Sequence, residues 1–482
     1  MEQRMTAARG PAAGDSAPAS QAAQRERAET YLRLRAEAEL RRQLTATPLE
    51  PQDWPPIGYG AHQLRIVASA LSESEALDEE TVGQILTGFE TALALRRGEM
   101  LHGFMSWHRM RRMHSAQVPP APAGPIRAIG LGTTVPVEVA GGRGEVVLLA
   151  AVFAADRAAL AVTARTCGPP RMSGPQVRDP LLELLSGGTA ADDRGTSYQL
   201  NFTGGGSDDE WTGRLEFSPL PPPSARWLDV TLGSGQPVRL DLAESAAVAA
   251  PGPSSPTAMA AYPPGDSPGE RYLDLVAENL VRSTVLGGVG RDDLVGLPEV
   301  VAGLRAAGVL GGRSPALGRV ATVATELGLE LPAGLAGAAL PAALPEPWAD
   351  VLAHAHRRDG VSGLARLGAV LPELDGTRCV LAGLESQRHK ARLTVLAWGW
   401  PFQGPWARLM RHERFRFWAR DSMGRWHIGS ELNGGTGSDG HADLELELAP
   451  PLHPRATSVE VILVGRTRAA SVSVGLNWVQ RR

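Results

Sequence analysis

Apolar positions along this chain change period four times, and the changes divide it into alternating helical and strand-rich stretches. From Arg25 to about Met113 they recur at helical spacing, as in Leu64, Val67 and Leu71, then Val82, Ile85, Leu86 and Phe89. Asp78 is placed to cap the second of these helices, with Glu79 and Glu80 in its first turn. VPPAPAGP, starting at Val118, ends the pattern, and β-branched runs then alternate with Gly, Pro and Asp turns as far as about Leu242. AAVAAPGPSSPTAMAAYPPGDSP has the composition of a linker. Beyond it, helical spacing returns until about Arg358, where Trp348, Val351, Leu352 and Ala355 form one face of a helix opening after Pro347. Strand patterning then resumes from Arg378 to the C-terminus. The expected division is a disordered tail (1–24), a helical segment (25–115), a β-sandwich (118–245), a linker (246–267), a second helical segment (268–360) and a second β-sandwich (365–482). The tail is assigned to disorder because its small polar residues bury too little surface to offset ordering entropy.

The two halves echo one another in a constant order. YLRLRAEAELRR from Tyr31 returns as YLDLVAENLVRS from Tyr272, and VASALSESEAL from Val67 as VAGLRAAGVL from Val301. ALAVTA around Leu160 resembles RLTVLA around Leu393. DDRGTSY, ending at Tyr198, resembles DSMGRWH, ending at His427, which sets Asp192 and Gly195 against Asp421 and Gly424. LEFSPLPPPSARWLDVTL from Leu215 matches LELAPPLHPRATSVEVIL from Leu446. The fold class this predicts is α+β, two tandem copies of a helical segment followed by an antiparallel β-sandwich.

Composition narrows the setting. The chain has 482 residues and a net charge of -4, enough length for several cores and no general attraction to nucleic acid or acidic lipid. Its longest apolar run, Val146 to Ala155, is about half of what a membrane helix needs, so membrane insertion is not expected. The N-terminus lacks the apolar stretch of a signal peptide, which favours the cytoplasm. Cys167 and Cys379 do not fall at matching repeat positions, and they suggest neither a disulfide framework nor a metal cluster. Lys390 is the only lysine in a chain rich in Ala, Arg, Gly and Pro, the usage of a high-GC genome.

YLRLRAEAELRR, ALDEETV, LPEPWADVLAHAHRR and VLPELDG resemble segments of uncharacterised proteins of high-GC actinobacteria. That resemblance implies a bacterial cytoplasmic protein of this architecture. It brings no activity and no site residues.

Candidate chemistry is sparse, and each constellation has an ordinary structural explanation. Gly435, Gly437 and Gly440 have dinucleotide-loop spacing but join two strand-like runs, so a hairpin loop is the simpler reading. His354 and His356 diverge on a helix and do not suit one metal, and His427 beside Trp426 reads as a satisfied strand residue. Asp192 and Asp193, with Asp208, Asp209 and Glu210 in the next turn, offer oxygen ligands suited to calcium, although Asp is also a common turn former. WHRMRRMH from Trp107 and RHERFRFWAR from Arg411 combine cations and rings as single-strand binders do. Within the latter, alternation sends Arg414 and Arg416 to one face and Phe415 and Phe417 to the other, as in a half-buried strand, so nucleic-acid binding is not favoured. The interaction candidates are Arg414, Arg416, Trp418, Trp426, Asp208, Asp209 and Glu210, and no catalytic residue, cofactor or metal is assigned.

Three functions of different classes follow. The first is a non-enzymatic scaffold whose duplicated sandwiches offer edges or loops to a protein partner. The second is a small-ligand or carbohydrate module using Trp211, Trp227, Trp398 and Trp400, an idea that fails where those rings are buried in cores. The third is an enzyme of unrecognised type, which needs a pocket holding a perturbed acid or base.

Overall fold

A computed structural model describes residues 20–45, 58–97, 124–139, 142–167, 180–207, 210–222, 224–233, 235–242, 256–285, 294, 296–357, 360–400, 415–436, 441–465 and 468–479. Three helices open the chain: α1 (Gln21–Thr45), α2 (Gly58–Glu73) and α3 (Glu79–Arg97). Asp78 caps α3 by accepting from the Thr81 backbone N–H at 2.8 Å, as the sequence pattern required. The start of α1 at Gln21 lies inside the stretch assigned to a disordered tail, because Ala28 and Leu32 seat that helix in a core.

The first sheet follows, formed by β1 (Arg127–Val139), β2 (Gly142–Phe153), β3 (Ala158–Cys167), β4 (Gly188–Asp192), β5 (Ser197–Ser207), β6 (Glu210–Ser218), β7 (Trp227–Thr231) and β8 (Val238–Asp241), with the short helix α4 (Pro180–Ser186) between β3 and β4. Its strands run antiparallel in the order 1-2-3-6-5-4-7-8. One face of all eight strands, with Leu181 and Leu185 of α4, encloses a single apolar cluster that includes Val146, Leu148, Val162, Leu215 and Leu228.

A second run of helices comprises α5 (Pro256–Ala260), α6 (Pro268–Val285), α7 (Leu297–Ala307), α8 (Pro315–Glu326) and α9 (Glu346–His354). The expected linker 246–267 therefore contains a helix, α5, and Ala258 within it and Ala261 beside it are buried. The second sheet consists of β9 (Gly363–Val370), β10 (Arg378–Gln387), β11 (Lys390–Trp398), β12 (Arg416–Asp421), β13 (Trp426–Thr436), β14 (His441–Ala449), β15 (Ser458–Val464), β16 (Ala469–Gly475) and β17 (Trp478–Val479). Its order is 9-10-11-14-13-12-15-16, the same permutation as the first sheet, with β17 added beside β9. Since β17 follows β16 directly and pairs with β9, the two ends of this sheet are drawn towards each other.

The likeness extends to individual hydrogen bonds. Asp192 Oδ1 accepts from the backbone N–H groups of Arg194 and Thr196, and Asp421 Oδ1 from those of Met423 and Arg425. The turns are completed by Gly195 (φ 77°) and Gly424 (φ 83°), in the left-handed region where glycine carries no Cβ penalty. Tyr198 then donates its hydroxyl to Asp192 Oδ2 at 2.8 Å, whereas His427 Nε2 lies 3.5 Å from Asp421 Oδ2. Asp193 and Ser422, the next residue in each turn, accept from Arg226 N–H and Thr457 N–H, tying both turns to the start of the seventh strand.

The helices depart from the expected plan. Rather than one helical unit for each sheet, both runs share one core: Leu32, Val67, Leu86, Leu273, Leu304, Val320 and Trp348 belong to a single cluster. That cluster takes Trp418, Trp426, Ile428 and Ile462 from the second sheet and, among the described residues, none from the first. The reason lies in strand patterning, since β12, β13 and β15 bury side chains on both faces, and Trp418, Trp426, Ile428 and Ile462 need cover on the side turned away from their own core.

The two sheets meet along β1 and β9. Each strand has an irregular pairing with its neighbour, at Gly130 to Thr133 and at Arg366 to Ala369, and each irregularity carries a positive-φ glycine, Gly132 (φ 59°) and Gly368 (φ 62°). A Cβ on Gly368 would stand 2.2 Å from the Gly130 backbone nitrogen, so the two main chains touch there. Ala128, Val147, Leu149, Ala150 and Ala161 complete the seam against Leu364, Val380, Ala382, Leu396 and Trp398.

Candidate ligand cleft between the two sheets

Away from the apolar seam, the facing surfaces of β3 and β6 and of β11 and β14 carry charged side chains, which fall into two groups. Because both sheets have the same strand order, the strand pairings match each position in one group to a position in the other. Leu160 pairs with Leu215 as Leu393 does with Leu446, so Ala159 corresponds to Arg392, Arg214 to Glu445 and Glu210 to His441. On the neighbouring strands, Val152 pairs with Ala159 as Glu385 does with Arg392, and the same count along β3 and β11 sets Arg165 against Trp398.

One group is filled. Arg392 Nη1 donates to Glu210 and Glu445 at 2.7 and 2.9 Å, and Arg165 is paired with Glu385 and lies 3.2 Å from Glu145. Burial opposes the charge on both guanidiniums, but the surrounding carboxylates outweigh it and raise the pKa of each. Such pairs give little net stability after desolvation, yet removing one partner is costly.

The other group leaves an opening. Ala159 and Val152 stand where the filled group has Arg392 and Glu385, and a cleft of about 230 Å³ occupies the space. It is lined by Arg157, Arg214 and His441, by Asp156 and Glu216, and by an apolar wall containing Val152, Phe217, Leu220 and Trp398. Arg214 is 3% exposed and reaches Asp443 at 2.7 Å, Glu216 at 2.7 Å and His441 Nδ1 at 3.1 Å. Burial works against its charge, but Asp443 and Glu216 hold its pKa above the ordinary arginine value. Arg157, on the turn between β2 and β3, pairs with Asp156 at 2.7 Å and places Nη1 against His441 Nε2. Its hydrogen bond lowers the Asp156 pKa. Trp398 packs edge-on to the His441 ring, 5.9 Å between centroids.

His441 thus faces a guanidinium through each ring nitrogen. Guanidinium groups only donate, so each of these contacts is a hydrogen bond where the ring nitrogen accepts.

Of the candidate residues singled out from sequence, Trp398 alone lines this cleft among the described residues. Arg414, Asp208 and Asp209 lie outside the described residues, as do Gly437, Gly440 and the WHRMRRMH segment. Glu210 belongs to the filled group. Arg416 and Trp418 leave the sheet on the face opposite Phe417, as alternation predicts, but they meet helix α6 rather than solvent: both contact Glu278, with the Trp418 indole at 3.3 Å. Their role as contact residues for an outside partner is therefore corrected to a structural one. Trp426 is likewise buried, its indole 3.4 Å from Glu346 and its backbone N–H donating to Asp350 at 2.7 Å. Asp192 and Asp193 direct oxygens to backbone N–H groups within the fold, and no group of metal-ligating residues occurs among the described residues. Of the four tryptophans considered for a carbohydrate site, Trp398 and Trp400 are buried, while Trp211 and Trp227 are half-buried, Trp211 packing edge-on to Phe202 and Trp227 lying beneath Arg239, whose guanidinium carbon is 3.9 Å from the ring centroid.

Sequence reasoning missed Arg157, Arg214 and His441, and named Trp398 only as a ring for a small ligand or carbohydrate. The available signal was charge on strands: Arg214 in GRLEF and the alternating acids of DLELEL. Alternation of that kind ordinarily marks a solvated face, and only a second sheet laid over it makes the charges interior. No family model, curated protein or solved structure matches this chain.

Proposed function

We propose that the protein is a non-enzymatic interaction scaffold that arose by internal duplication, with two β modules and one shared helical layer. The observation that carries this reading is the common strand order of the two sheets, reinforced by the matched Asp192 and Asp421 turns. A seam of touching backbones and the arginine–carboxylate pairs Arg214–Asp443, Arg165–Glu385 and Arg392–Glu210 fastens the modules to one another, as suits a platform more than a hinged pair. The duplicated edges differ in their surroundings. Helix α5 packs beside β16, while β8 ends the strand order of the first sheet, paired with β7. An extended segment of a partner protein adds to β8 in this proposal, main chain to main chain.

No helix among the described residues is long and apolar enough to cross a membrane. A bacterial cytoplasmic setting is part of the proposal, as is kinship with the actinobacterial proteins that the helical segments resemble. The test is capture of partners on the full-length protein, followed by hydrogen exchange on the reconstituted pair. Slowed exchange at the β8 amides supports strand addition; a footprint elsewhere, or turnover of a small substrate by the purified protein, overturns it.

A further inference from the structure

Strand β8, Val238–Asp241, ends the order of the first sheet, and the way its residues alternate points to a particular partner. The Leu242 N–H donates to the Arg226 carbonyl at 2.8 Å, one step beyond the pairing of Trp227 with Asp241. In an antiparallel ladder the main chain of every second residue turns to the neighbouring strand. Val238 and Leu240 therefore face β7 as Leu242 does, while Arg239 and Asp241 direct their N–H and C=O groups to the edge. Side chains alternate in step: Leu240 and Leu242 enter the core of the first sheet, whereas Arg239 and Asp241 are exposed on its outer face. Taking strand addition at β8 as the basis, we propose that β8 pairs antiparallel with β8 of a second copy of this chain, about a twofold axis through Leu240.

Charge selects this register. With the axis at Leu240, Arg239 of each copy stands across from Asp241 of the other, and Val238 across from Leu242. An axis at Arg239 sets two arginines face to face, and one at Asp241 sets two aspartates. A slip of one residue turns the core face of one copy to the outer side of the other. Arg239 already meets Asp229 of β7 at 2.8 Å, so self-pairing places its guanidinium between two acids in one row across the joined sheets. The second sheet supplies a comparison within the same chain. Its strand β16 carries Ser473 and Gly475 at the places of Arg239 and Asp241, and there helix α5 packs beside the strand.

Sedimentation equilibrium of the full-length protein tests the pairing. So short a strand covers well under the roughly 1,000 Å² of a stable dimer, so weak association is expected, with Kd about 0.1 mM. Arg239→Asp sets aspartate against aspartate in the self-pair, and Asp241→Arg sets arginine against arginine. Each variant alone should associate at least about tenfold more weakly than the natural chain. Mixed in equal amounts, the two should regain its affinity, because every aspartate of one then faces an arginine of the other. Both positions are exposed, and recovery in the mixture itself shows that the variants are folded. A natural chain that is monomeric at about 1 mM overturns the proposal, as does a mixture that stays monomeric. So does stronger association of either single variant, the behaviour of charges that guard an edge. If these tests fail while a foreign protein slows exchange at the β8 amides, self-pairing alone falls; a footprint elsewhere takes strand addition at β8 with it.

Discussion

Replacing Gly368 by alanine separates the two physical demands that converge on the seam. Its φ of 62° already disfavours any L side chain, at roughly 1–2 kcal/mol. In addition, the new Cβ would stand 2.2 Å from the Gly130 nitrogen and 2.8 Å from the Ile129 carbonyl carbon, so β1 and β9 must part. Overpacking of that kind adds about 1–3 kcal/mol, giving roughly 2–5 kcal/mol in all. Gly195→Ala is the internal control: φ there is 77°, but nothing lies within 4 Å of the place its methyl group would take, so only the backbone cost of roughly 1–2 kcal/mol applies. Urea unfolding followed by tryptophan fluorescence and by circular dichroism gives the two midpoints directly. The midpoint of Gly368→Ala should fall well below that of Gly195→Ala. Equal midpoints would mean that the two main chains do not touch at the seam, and the rigid joining of the modules would go with it.

Glu278→Ala removes the carboxylate that Arg416, Arg282 and the Trp418 indole share inside the helical core and should cost about 3–5 kcal/mol in urea unfolding, whereas Glu37→Ala, at the matching place on α1, should leave the midpoint where it was. Burial by itself would raise the Asp421 carboxyl, but His427 and the N–H groups of Arg425 and His453 reverse this and hold it at about 2. Its stabilising contribution is therefore complete above the unfolded value near 3.8 and is lost as pH falls through 2, so Asp421→Asn should flatten stability against pH in that interval by about 2 kcal/mol, read from urea midpoints. Tyr198→Phe withdraws the hydroxyl from Asp192 in the corresponding turn and should cost about 1.5–3 kcal/mol in the same assay. Residues 1–245 expressed alone should lack a cooperative thermal transition for their helices, because α1 to α3 share their core with α6 to α9; a sharp far-ultraviolet melt of that fragment would contradict the shared core.

How much of this was legible in the chain depends on the range over which each feature is decided. The Asp78 cap, the helix entered at Pro347 and the equivalence of the Asp192 and Asp421 turns rest on a few adjacent residues, and the pattern located them. The helix α1 and its echo α6 show the limit. Glu37 and Arg41 match Glu278 and Arg282 four residues apart in both helices, yet the first pair is on the surface and the second is buried under β12. The two stretches share six of twelve residues, and beside the shared pair α6 carries Val276 and Leu280 where α1 carries Arg35 and Glu39, as suits a helix with a sheet laid across it. The cleft was illegible for the same reason: Arg157, Arg214, Trp398 and His441 come from four strands or turns and meet only when one sheet faces the other.

The sequence by itself determined which stretches become helix or strand, where several of their turns fall and that the halves share a pattern, because periodicity, caps and turn residues act over one or two turns of chain. Tertiary structure alone decided that both helical runs join one layer over the second sheet, that β1 and β9 touch at glycine, and that one of two equivalent places is filled by Arg392 while the other stays open at Ala159. Those outcomes depend on the burial of faces that alternation can mark as polar or apolar but cannot assign to a particular neighbour.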